Sequence, residues 1–201
     1  MSKNETLKYY DENASKYCEQ TINTDMSEAY TRFISFLSDG AYILDFGCGS
    51  GRDSKYFLSK GYKVTAIDGS SEMCKLASNY IGQKVNCMDF SELSDKSLYD
   101  GIWACSSIVH VEKEKLPDIL NKMVDALKVG GIIYTCFKNG SGFEIKEGKY
   151  YNYMTPEEFI GVLKEFVPNA ELIDSYSNET YKGTVGKSSS NWINFLVKRI
   201  K

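Results

Sequence analysis

Apolar and polar positions along this chain change period repeatedly, and each change marks an element. From residue 41 onward, short apolar runs alternate with stretches of helical spacing. They predict strand 41–46, helix 51–60, strand 62–67, helix 71–81, strands 84–88 and 99–105, helix 113–128 and strand 131–137. A run apolar along its whole length, such as Gly131-Ile132-Ile133-Tyr134-Thr135-Cys136-Phe137, suits a parallel sheet covered on both faces. Helical spacing over 3–20 and 26–37 precedes the first strand, and in the second stretch Tyr30, Phe33, Ile34 and Leu37 form one apolar stripe. After residue 137 the pattern breaks into a segment rich in glycine, charge and tyrosine, 138–153. Thr155-Pro156-Glu157-Glu158 then reads as a helix start, with a threonine cap, proline at the first helical position and a glutamate able to reach back. That helix ends near Phe166, before Pro168; strands 170–176 and 192–197, joined by the polar segment 177–190, close the chain. The expected fold is α/β, an open, doubly wound, mostly parallel sheet of seven strands. No internal repeat or low-complexity tract interrupts it.

The first strand carries the most specific chemistry. Tyr42-Ile43-Leu44-Asp45-Phe46 runs directly into Gly47-Cys48-Gly49-Ser50-Gly51-Arg52-Asp53 and a helix start. Glycines at alternate positions let backbone turn sharply and approach a ligand more closely than any Cβ allows. A dinucleotide fingerprint asks for a third glycine at position 52, and Arg52 stands there, so a nicotinamide cofactor is disfavoured. The second strand ends at Asp68, about 20 residues past the loop, where an acidic side chain accepts ribose hydroxyls in doubly wound folds.

Ile43 to Gly51, Asp68-Gly69-Ser70-Ser71-Glu72-Met73, Tyr99 to Val111 and Lys128 to Thr135 together resemble the ordered motifs of the class I S-adenosylmethionine-dependent methyltransferases. The pattern is most similar to their tellurite-resistance and quinone-biosynthesis branches, and runs from about Leu7 to the C-terminus. The resemblance implies a Rossmann-like fold whose last strand inserts antiparallel beside the fifth. It also implies S-adenosylmethionine as cofactor. The methionine part would lie on Gly47, Cys48, Gly49 and Gly51, near Asp45 and Cys105. The ribose would meet Asp68, unless that is a solvated strand-end carboxylate. Ser70 and Met73 would flank the adenine, with Gly69 also at the cofactor. Asp89 would accept from the adenine amino group while Met88 or Phe90 supplies apolar area, unless Asp89 serves a turn. Arg52 either contacts the donor carboxylate or pairs with a nearby acid.

His110, the only histidine, follows the fourth strand at a position facing donor and acceptor. It is a candidate base or acceptor-positioning group, because its ordinary pKa suits proton transfer near neutrality; packing of its loop is the alternative. The residues just ahead of it, Cys105 to Val109, lack the acidic pair that suggests metal assistance in some quinone-pathway relatives, so no metal is expected. The segment Tyr9 to Tyr17 resembles a tyrosine-bearing lid helix. Tyr9 and Tyr17 would close over the cofactor, where aromatic faces attract a sulfonium, unless they belong to a plain amphipathic helix. Lys138, Phe143, Tyr150, Tyr151 and Tyr153 are candidates for the acceptor wall.

Composition narrows the partners. A chain of 201 residues suggests one domain, here an N-terminal lid over 1–40 and a core over 41–201 with an acceptor-side insertion at 138–154. A net charge of −3 gives no broad field for phosphate backbones, so a small-molecule acceptor is favoured over RNA; a cofactor-binding regulator without turnover is the third reading. Six scattered cysteines, with no Cys-x-x-Cys, read as free thiols in a reducing compartment. With no apolar run of membrane-spanning length and a polar start at Met1 to Asp11, a cytoplasmic monomer or homodimer is expected.

Overall fold

The computed structural model describes residues 3–178 and 191–201. Of the polar segment expected at 177–190, positions from 179 on lie outside the described residues. The elements are α1 (Lys3–Thr21), α2 (Ser27–Ile34), β1 (Tyr42–Phe46), α3 (Arg52–Ser59), β2 (Lys63–Asp68), α4 (Ser71–Ile81) and β3 (Asn86–Cys87). They continue with β4 (Tyr99–Ala104), α5 (Leu116–Ala126), β5 (Leu127–Asn139), β6 (Phe143–Lys146), β7 (Lys149–Met154), α6 (Pro156–Phe166), β8 (Ala170–Asn178) and β9 (Trp192–Arg199).

Strands β3, β2, β1, β4 and β5 lie side by side and parallel, and β9 joins β5 antiparallel with β8 beyond it. Chain direction across the sheet reverses between β1 and β4, which leaves a crevice at their carboxyl ends, the place where open α/β sheets bind ligands. The sheet has nine strands rather than the seven expected, because the irregular stretch after β5 folds into the hairpin β6–β7. β5 runs on to Asn139, and its last two residues pair in parallel with Tyr153 and Met154 of β7. Since β9 holds one edge of β5 there, the hairpin takes the other edge, beyond the point where β4 ends at Ala104, and so overhangs the crevice.

Alternation along the central strands covers both faces. Leu44, Phe46, Ile102, Ala104 and Ile133 pack with α5 and α6, whereas Ile43, Trp103, Ile132 and Tyr134 pack with Phe33 of α2 and Phe57 of α3. Phe33 is fully buried, which contributes about 1.5–3 kcal/mol. The stripe expected on α2 thus seats this helix, although the helix ends at Ile34, short of 37. At α6, Thr155 accepts from the Glu158 N–H while the Glu158 side chain reaches back to the Thr155 N–H, with Pro156 in the first turn.

Candidate functional site

The crevice opens into a cavity of about 730 Å³. Its floor begins at the loop after β1. Gly47 has φ +87°, and a Cβ there would sit 2.5 Å from Cβ of Ser107, so this loop and the one after β4 touch through the missing side chain. Gly51 starts α3 at φ +77°, where a Cβ would meet Ile81 at 3.0 Å. The two glycines therefore serve close packing as well as the turn.

Asp68 stands at the tip of β2. Gly49 N–H donates to its Oδ2 and Ser70 N–H to its Oδ1, each at 2.9 Å. Burial pushes this carboxyl up, and backbone N–H donors from Ser70, Gly49 and Gly69 oppose that. A carboxylate offers about four acceptor sites, so Asp68 keeps acceptor capacity beside the cavity it lines. Ser70, fully buried, also receives Met73 N–H on its oxygen and donates its O–H to Asp11 of α1 at 2.6 Å. Further along, Asp89 caps the turn Phe90–Glu92 by accepting from Ser91 N–H at 2.8 Å, and Phe90 stacks on Phe46 at 4.4 Å.

Three ionisable side chains lie beside the glycine loop. Asp53, 6% exposed, accepts from Tyr30 O–H, from Trp103 Nε1 at 2.8 Å, and from Arg52 at 2.6 Å and 2.9 Å. Arg52 is therefore paired with an acid in fork geometry, and its Nη1 donates at 3.3 Å to the Thr21 carbonyl at the end of α1. Asp45 is 1% exposed, accepts from Ser54 O–H at 2.6 Å and does not line the cavity. Burial and the nearby Asp53 charge push its pKa up to about 8.

At the other end of the cavity His110 sits between two elements. Its Nδ1 lies 2.6 Å from the Tyr150 carbonyl of β7, and since a carbonyl only accepts, Nδ1 carries the proton. In the neutral ring Nε2 then holds the lone pair, and it accepts from Tyr10 O–H of α1 at 2.9 Å. Burial, with Lys149 and Lys138 nearby, lowers the pKa of His110 to about 4.

Of the residues expected from sequence, Tyr17, Gly47, Cys48, Gly49, Arg52, Asp68, Gly69 and Met73 line this cavity, as do Asp89, Phe90, Cys105, His110, Tyr150 and Tyr151. Tyr9, Asp45, Gly51, Ser70, Met88, Lys138 and Phe143 do not. Phe143 is 62% exposed, and Lys138 pairs with Glu144 at 3.0 Å while lying 4.1 Å over the Tyr151 ring. Tyr9 carries the Lys149 ammonium on its ring at 4.0 Å.

Residues 43–131 match the family described as "Methyltransferase domain". A methyltransferase of Geobacillus thermodenitrificans is 28% identical over 142 residues, 67% of this chain and 65% of that protein. The probable S-adenosyl-L-methionine-dependent methyltransferase TehB of Haemophilus influenzae is 29% identical over 124 residues, 59% of this chain and 41% of its own length. This chain thus spans less than two thirds of the length of either relative. The crystal structure of Burkholderia thailandensis 1,6-didemethyltoxoflavin-N1-methyltransferase, with bound 1,6-didemethyltoxoflavin and S-adenosylhomocysteine, superposes with a TM-score of 0.76. It is 20% identical and covers 98% of this chain and 87% of that one.

The family match, the relatives and the structural neighbours together support a class I S-adenosylmethionine-dependent methyltransferase. The family's donor is S-adenosylmethionine, and the glycine loop, Asp68 and the Asp89 turn follow one another along one wall of the cavity. Sequence reasoning missed Thr6, Leu7, Tyr10, Thr21 and Asp53, which also line it. A signal existed: Thr6, Tyr10, Tyr17 and Thr21 are spaced by four, seven and four residues and so share one helix face. Among the described residues no helix is long and apolar enough to cross a membrane, and no group of three or more His, Cys, Asp or Glu side chains is arranged for a metal.

Proposed function

We propose that this chain transfers a methyl group from S-adenosylmethionine to a small-molecule acceptor. The donor would lie along Gly49, Asp68 and Asp89, and the acceptor between His110, Tyr150, Tyr151 and Trp192. The observation that carries the reading is Asp68: its two oxygens are held by backbone N–H donors, and it lines a cavity that His110, Tyr150, Tyr151 and Trp192 also line. The residues fit the donor. The buried, unpartnered Ser107 hydroxyl stands beside Gly47 at the cavity floor, and Phe90, backed by Phe46, offers apolar area where the adenine would rest. A small acceptor is favoured because α1 and the β6–β7 hairpin both close on the cavity and the chain carries net charge −3.

When bound, the donor supplies an activated methyl on a sulfonium. The chain's own task is alignment and exclusion of water. Tyr17, whose ring lies 3.6 Å from where a Cβ of Gly49 would stand, covers the loop. His110 orients Tyr10 and Tyr150 around the chamber, and both of its ring nitrogens are occupied in doing so. A neutral imidazole with so low a pKa is a poor proton acceptor. The acceptor therefore presents its own free lone pair, as an anion or an amine.

Calorimetric titration with S-adenosylhomocysteine tests the donor half, with Asp68→Asn as the control that should weaken binding. Labelled donor incubated with a cell extract, fractionated into small molecules, RNA and protein, tests the acceptor half. Label confined to RNA would sink the small-acceptor reading.

A further inference from the structure

Helix α1 touches both halves of the cavity at once. On the donor side, Leu7 packs on Gly69, where a Cβ would stand 2.8 Å from Leu7 Cδ2. Asp11 Oδ1 accepts from Ser70 O–H at 2.6 Å and from Glu72 N–H at 3.2 Å. Ser70 N–H in turn donates to Asp68. On the acceptor side, Thr6 and Tyr10 stand one turn apart. Tyr150 N–H donates to Thr6 Oγ1 at 3.2 Å, the Tyr150 carbonyl accepts from His110, and His110 accepts from Tyr10. These bonds close a ring through helix, hairpin and histidine turn. Tyr10 and Asp11 are adjacent, so a shift of α1 that breaks the Asp11 contacts also loosens the Tyr10 contact.

We propose that Asp11 is a positioning residue that carries donor occupancy to the acceptor wall. A ribose on Asp68 fixes Ser70, Ser70 fixes Asp11 and with it α1, and α1 sets Tyr150 and His110 through Thr6 and Tyr10. This inference rests on reading the Asp68 end as the donor site. Its consequence is an order of assembly, in which the acceptor chamber takes its final shape after the donor is in place.

Hydrogen exchange of the intact chain with and without S-adenosylhomocysteine tests it. In the wild type the ligand should slow exchange at 47–53, at 67–73, along α1 and in the hairpin 143–154. A slowing of about tenfold at the Tyr150 amide is expected, on the scale of one stabilised hydrogen bond. Asp11→Ala should keep the slowing at 47–53 and lose it in the hairpin. Asp11→Asn, which retains an oxygen for the Ser70 hydroxyl, should restore it, a rescue that simple loss of helix packing would not give. Should Asp11→Ala fail to fold, Thr6→Val serves instead, with α1 still slowed by ligand and the hairpin not. Hairpin slowing that survives in Asp11→Ala overturns the proposal. So does wild-type slowing confined to 47–53 and 67–73, a result that leaves the donor reading standing. If calorimetry finds no binding at all, the donor reading falls and takes this inference with it.

Discussion

Gly47→Ala is the most demanding test of the cavity's floor, because the structure supplies its own control. Gly47 and Gly61 have nearly the same backbone angle, φ +87° and +84°, but a Cβ at Gly47 meets Ser107 Cβ at 2.5 Å whereas one at Gly61 meets nothing within 4 Å. Placing alanine in the left-handed region costs about 1–2 kcal/mol at either site. Carbon atoms pack at about 3.5–4.0 Å, so the Gly47 contact is short by roughly 1 Å or more. The atom it strikes is next to the backbone and cannot swing aside, which adds an overpacking cost of about 1–3 kcal/mol. Gly61→Ala should therefore lose about 1–2 kcal/mol and Gly47→Ala about 2–5. At about 2–4 °C per kcal/mol for a chain of this size, the melting temperatures should fall by about 2–8 °C and about 4–20 °C. Scanning calorimetry measures both, and S-adenosylhomocysteine titration below the transition adds the functional arm. Gly47→Ala should lose ligand affinity because the β1 and β4 loops are forced apart; Gly61→Ala, in the turn at the far end of β2, should not. Equal melting shifts with equal affinities would mean that the two loops do not meet as described.

Asp68→Asn should weaken S-adenosylhomocysteine binding by roughly 10- to 150-fold, the equivalent of losing about 1.5–3 kcal/mol of charge-assisted hydrogen bonding, and unchanged calorimetric affinity would refute the ribose assignment. Tyr10→Phe should lower turnover while leaving donor affinity within a few-fold, since it removes a contact on the acceptor side only; an equal loss in both would contradict the division of the cavity. For Asp45, whose pKa is raised to about 8 in the fold, the native state holds a proton that the unfolded state releases above about 4, so stability falls as pH rises from about 4 to 8 and then levels. Asp45→Asn should flatten that slope in melting curves taken across the same range. His110 works in the opposite sense: with its pKa lowered to about 4, stability is full above about 6.5 and falls as pH drops from there to 4, by roughly 3 kcal/mol at most. His110→Asn should remove this acid limb, and an unchanged limb would place the imidazole in solvent.

Much of the fold was legible because its signals are local. Each parallel strand is an apolar run bounded by turn residues, and the cap at Thr155 is written in four consecutive residues. Asp68 could be placed because a strand tip and a glycine loop fix a distance along the chain as well as in space. The hairpin β6–β7 was not legible. Its first strand, Phe143–Lys146, alternates over only four residues, its second is dominated by tyrosine, and what places them in the sheet is the extension of β5 past β4, a long-range event. The partner of Arg52 was equally out of reach: Asp53 is its sequence neighbour, but the acid is held there by Trp103 and Tyr30, about 50 and 23 positions away. His110 illustrates the same limit. Its position after β4 could be read, whereas its two ring partners come from α1 and β7, far away in the chain.

Three aspartates crowd around the glycine loop with one arginine among them, and like charges so close cannot all persist in a buried setting. The fold gives each a different resolution. Asp53 faces Arg52 in a two-pronged pair and takes two further neutral donors. Asp45, with only a serine hydroxyl to meet it, has its pKa raised until the protonated form competes at neutral pH. Asp68 is held by backbone N–H groups that bring no counter-charge of their own, and it borders the cavity. Of the three, Asp68 is the one that borders the cavity with no cation paired to it. On the proposed function, a sulfonium donor would bring positive charge into this end of the cleft, and its hydroxyls would donate to Asp68. The three identical letters in the sequence thus stand in three different environments, a distinction made by partners from other parts of the chain.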